Sequence, residues 1–146
     1  MKRLLYIIAI LIIATFEQSC GRAIEGEWTC TNARLVGENS EEMSERPSIK
    51  EMLSEEVGAK MTFSGDEVID AHRELVKGSY HFSDDQKVLT VNFKKVSFDG
   101  GSKWEDIPKL MTADFDYQIV SLNDKQLIFQ YDHGYGLIIE YTYEKK

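Results

Sequence analysis

From Lys60 to the C-terminus, apolar residues recur at every second position in short runs divided by polar turns. This period of two dictates extended strands rather than helix. The run 60–64 sets Met61 and Phe63 on one face, and Ser64-Gly65-Asp66 has the composition of a tight turn. Residues 67–71 read as a weaker strand. Residues 74–82 align Val76, Gly78, Tyr80 and Phe82 on one side, and residues 83–86 form a polar turn. Residues 87–98 are the longest run, with Leu89, Val91 and Phe93 facing one way. At Lys94-Lys95 the phase slips and Val96 and Phe98 take over, as a β-bulge would produce. Three further strands are expected at 113–122 (Phe115, Tyr117, Ile119), 126–133 (Leu127, Phe129, Tyr131) and 137–144 (Leu137, Ile139, Tyr141, Tyr143), with Asn123-Asp124-Lys125 and residues 133–136 as the turns between them.

Before residue 60 the pattern is mixed. Residues 27–35 read as a first strand with Trp28 and Cys30 on one face, and residues 37–45 as an acidic loop. Ser48 with Glu51 is a capping box, Gly58 suits the position after a helix end, and Ile49, Met52, Leu53 and Val57 fall on one helical face. One short amphipathic helix after the first strand is therefore expected. Residues 103–111 are expected to form a helical turn bearing Trp104, Ile107 and Leu110, which Pro108 keeps short. About eight strands joined by short connections must pair sequentially and antiparallel. Such a meander, apolar on one face, closes into a barrel or folds into a sandwich, and eight strands suit a small closed barrel.

The first nineteen residues are of a different kind. Lys2 and Arg3 precede an uncharged apolar run from Leu4 to Phe16. As a helix it spans about 20 Å, short of the roughly 30 Å hydrocarbon core. This is the pattern of a signal peptide, with an uncleaved anchor as the alternative. Ser19-Cys20-Gly21 follows and resembles a bacterial lipobox, in which the cysteine takes a diacylglycerol and becomes the mature N-terminus; Glu17 departs from its usual aliphatic residue. The resemblance implies cleavage before Cys20, lipidation of Cys20, a tether over 20–25 and a domain over 26–146. The implied address is the cell envelope, the outer membrane ahead of the inner, because Gly21 is not the aspartate that retains some lipoproteins. Ordinary cleavage, with Cys20 free or paired to Cys30, is the other reading.

The chain carries a formal charge of −8, and removal of residues 1–19, with Lys2, Arg3 and Glu17, takes it to −9. An acidic surface repels phosphate backbones and anionic headgroups, which argues against nucleic-acid partners and makes lipid the means of membrane attachment.

Several short stretches resemble the lipocalin-like domain of small Bacteroides-type envelope lipoproteins: Gly26-Glu27-Trp28 soon after Cys20, residues 61–66 (MTFSGD), 78–82 (GSYHF), 88–91 (VLTV), 117–127 (YQIVSLNDKQL) and 140–143 (EYTY). The resemblance spans nearly the whole mature chain. It implies an all-β, antiparallel up-and-down barrel floored by Trp28, with a later basic residue packed over that tryptophan, for which the sequence offers no assignment.

Chemistry-bearing motifs are sparse. There is no P-loop, no G-x-S-x-G elbow, no C-x-x-C and no H-E-x-x-H. His72, His81 and His133 lie in separate segments, His81 on an outward phase; Asp84-Asp85 sits in a turn, and Asp114 and Asp116 alternate with the apolar face. No catalytic role, metal or cofactor is expected. The aromatic set is more informative. Trp28, Phe63, Tyr80, Phe82, Phe93, Phe115, Tyr117, Phe129, Tyr131, Tyr141 and Tyr143 all take inner phases. They form either a filled core or a cavity whose wall is Tyr80, Tyr117, Tyr131 and Tyr141 above Trp28. Two functions follow: a module that binds a small apolar or amphipathic ligand, or an interaction lipoprotein with a filled barrel and an exposed apolar patch around Trp104, Ile107 and Leu110.

Overall fold

A computed structural model describes residues 23–146. The expected signal peptide and Cys20 lie outside the described residues. The strands are β1 (Gly26–Val36), β2 (Lys60–Ser64), β3 (Glu67–Ala71), β4 (Leu75–Phe82), β5 (Val88–Ser97), β6 (Glu105–Asp106), β7 (Asp114–Leu122), β8 (Gln126–Asp132) and β9 (Ile138–Lys145). They form one antiparallel sheet in the order β4-β3-β2-β1-β9-β8-β7-β5-β6, and β4 also pairs with β5. Eight strands thus close into a ring, while two-residue β6 hangs on the Lys95–Val96 part of β5. Closure satisfies the backbone groups that an open edge would leave unpaired.

The bulge expected at Lys94-Lys95 is present. Lys77 pairs with Lys95 and Gly78 with Phe93, so Lys94 is the extra residue. Val96 follows as expected, opposite Val76, but Phe98 lies past the strand end and is exposed. Two more bulges lie at Thr31 in β1 and Val120 in β7, and each shifts the inward phase by one residue, from Cys30 to Ala33 and from Ile119 to Leu122. Gly78 is required by the first bulge, since a Cβ there would lie 1.8 Å from the Asn92 carbonyl oxygen. Gly65, at φ 62°, makes the β2–β3 turn.

Two helices replace the single expected one. α1 (Ser40–Ser44) occupies part of the stretch read as loop, and α2 (Pro47–Glu56) begins two residues early. Ser48 does not cap α2. Pro47 is already inside its first turn, Arg46 takes the cap position, and no side chain bonds the free N–H groups. Met43, Ile49, Met52 and Leu53 pack on the core, whereas Val57, expected on the same face, turns outward. The turn expected over 103–111 becomes β6 and a 3-10 turn, Lys109–Met111; Ile107 reaches the core, and Leu110 and Met111 face solvent.

Every aromatic residue assigned to an inner phase belongs to the core or packs against it. The core also reaches ahead of the expected domain start, because Ile24 is fully buried. The ring has two distinct ends. One carries the start of β1, the turns at 64–66, 83–87 and 123–125, and the end of β9. The other carries α1, α2, the β3–β4 turn, the long β5–β7 connection and the β8–β9 turn.

Candidate functional site

The first end is shut. Trp28 is fully buried and donates from Nε1 to the Ile24 carbonyl at 2.6 Å. The Lys145 ammonium lies 5.1 Å from the Trp28 ring centroid and donates to the Ala23 carbonyl at 3.0 Å. Lys145 supplies the basic residue over Trp28 that the sequence left unassigned. Tyr80 is also committed to this end. Its hydroxyl donates to the Gly65 carbonyl at 2.6 Å, and its ring meets Phe63 edge-on at 5.0 Å. Trp28 and Tyr80 therefore buttress the closed end and its neighbouring turn.

Tyr117, Tyr131 and Tyr141 come together elsewhere. Tyr117 lies 5.3 Å from Tyr131 and 4.6 Å from Phe129, and Phe129 lies 5.3 Å from Tyr141. His133 stands edge-on to Tyr131 at 4.7 Å, and its Nε2 is 2.9 Å from the Tyr141 hydroxyl. Burial raises the Tyr117, Tyr141 and Tyr143 hydroxyls above their ordinary range and lowers His133 below its own, so this end presents neutral donors and acceptors.

One charged group joins them. Asp70 pairs in register with buried Met61 on one side and with Val76 on the other, which puts its side chain on the inner face of the ring. Oδ1 accepts the His72 backbone N–H at 2.9 Å, and burial pushes the carboxyl up to about 6. The negative charge of Asp70 is felt at Tyr117, Tyr141 and Tyr143, adding to the effect of burial. From above, Glu56 at the end of α2 lies 3.2 Å from His72 Nδ1. Asp70, His72 and Glu56, with Arg73, Glu74 and Val76, line a cleft of about 470 Å³ at this end. Arg73, on the same lining, is paired with Glu55 at 2.8 Å.

Of the five residues expected to form a ligand site, the structure brings three together and assigns Tyr80 and Trp28 to the closed end. Asp70, Glu56, His72 and His133 were missed. Asp70 had a readable signal: it shares the phase of Val68 in β3, so an acidic residue occupies an apolar face. Glu56 had none, because only tertiary packing brings the end of α2 over β3.

The expected outward groups are outward. Asp116 accepts from Thr90 at 2.7 Å and Asp114 from Asn92 at 2.7 Å on the exposed face. Cys30 is a buried free thiol, and burial raises it to about 11, so it is protonated at neutral pH. Among the described residues no three His, Cys, Asp or Glu side chains are grouped to hold a metal ion, and no helix is long and apolar enough to cross a membrane. No family model matches the chain, and searches of the curated proteins and of the solved structures find no match to it.

Proposed function

We propose that this chain is a lipocalin-like envelope lipoprotein, anchored through a lipid on Cys20, that holds a small apolar or amphipathic molecule at the open end of its strand ring. The observation that carries the ligand reading is the wall of Tyr117, Tyr131 and Tyr141, with His133 behind it, at the same end as a 470 Å³ cleft. The barrel assignment draws support from the eight-stranded ring and from Lys145 over Trp28 beside Gly26. Anchoring rests on the sequence of residues 1–21. A mass increase equal to a diacylglycerol on the mature protein, lost in Cys20→Ala, tests it.

Native mass spectrometry of the full chain from its own host tests the ligand reading. A bound small molecule is expected, and Tyr131→Ala should reduce its occupancy about tenfold while leaving the fold intact. An unfolded variant, or an empty wild type, counts against the site.

A second reading has its own observation. Val57, Phe98, Leu110, Met111 and Tyr135 are exposed, and all belong to elements at the open end. An apolar rim of this kind suits contact with another envelope protein. Of the patch read from the sequence, only Leu110 belongs to that rim.

A further inference from the structure

We propose that the open end selects an organic cation: a molecule with an apolar or aromatic body lying on the Tyr117, Tyr131 and Tyr141 rings and an amine reaching Asp70. This rests on the ligand-holding reading above and adds the charge of the ligand. Among the described residues, the inner face of the eight ring strands carries two charged residues in phase, Asp70 and Lys145. They sit at opposite ends of the ring, and Lys145 is engaged by Trp28 and the Ala23 carbonyl. Asp70 is therefore the one strand-borne charge facing the tyrosine wall. Its environment is not that of a structural ion pair. No cationic side chain bonds it, and its one hydrogen bond comes from a backbone N–H. The cleft that leads to it adds Glu56 and Glu74 against two basic side chains, of which Arg73 is paired to Glu55 and His72 to Glu56. An anion entering here meets like charge in a partly desolvated site. A neutral molecule gains the rings alone. A cation gains both the ring faces and the carboxylate.

Three probes of one shape, tryptamine, indole-3-ethanol and indole-3-acetate, distinguish these cases by isothermal titration calorimetry. The full chain in dodecylmaltoside micelles is used at pH 7.5. Tryptamine should bind about tenfold tighter than indole-3-ethanol, with indole-3-acetate weakest, and Asp70→Asn should erase the difference between the first two. Equal or tighter binding of the neutral or anionic probe overturns the cation assignment and leaves the ligand-holding reading standing. Failure of all three to bind at about 1 mM also overturns it, and native mass spectrometry of the host-purified protein then decides the ligand reading separately.

Discussion

Asp70 keeps its proton more firmly in the fold than in the unfolded chain, and the consequence for stability can be signed. Its pKa is about 6 folded against an ordinary 3.8. The folded state therefore binds more protons between these values, and stability falls as pH rises through that window. Above pH 6 the ionised carboxylate costs about 2–3 kcal/mol. Asp70→Asn keeps an oxygen for the His72 N–H and removes the charge. The variant should be more stable than wild type by that amount at pH 7.5 and equal to it near pH 3, below both pKa values, as chemical denaturation at the two pH values would show. Tyr80 makes the contrast. Its hydroxyl serves the Gly65 carbonyl, so Tyr80→Phe should cost about 1–2 kcal/mol in the same assay without changing the occupancy of a bound molecule.

At the scale of elements, β4 and β5 close the ring, and their pairing turns on one glycine. With Lys94 bulged out, the backbones approach so closely at Gly78 that a methyl group would enter the Asn92 peptide. Gly78→Ala must part the two strands and is expected to cost about 2–4 kcal/mol, measured by urea unfolding. A loss below 0.5 kcal/mol would mean the seam is looser than the described geometry. The helices act differently. α2 lacks a side-chain cap and is held by Ile49, Met52 and Leu53 against the core, and that packing carries Glu56 to His72 and the cleft.

The described residues form a ring sealed at one end by Trp28 and carrying the two helices and the cleft at the other, and the chain enters them at the sealed end. A lipid on Cys20 would therefore fix the sealed end near the bilayer and turn the cleft and the apolar rim away from it. The ring also makes each strand depend on both neighbours. Trp28 at the sealed end and Trp104 beside Lys77 on β4, 4.3 Å from its ammonium, should report one transition. Fluorescence of Trp104→Phe, which follows Trp28, and far-UV circular dichroism should share a midpoint. Separate midpoints would mean that the sealed end unfolds on its own.

Alternation of apolar residues by itself determined the strands, their antiparallel order, the Lys94 bulge and the inward set of aromatics, because a period of two is a local property that burial must respect. The signal-peptide and lipobox reading of residues 1–20 rests on sequence alone. What the tertiary structure alone decided is how those inward aromatics divide. Their phase is the same, yet Trp28 and Tyr80 seal and buttress one end, while Tyr117, Tyr131 and Tyr141 line the other. Position along the ring axis depends on strand stagger, on how the bulges at Thr31 and Val120 shift the register between neighbours, and on where α2 docks. Those are long-range pairings, and a periodicity read one segment at a time holds no record of them.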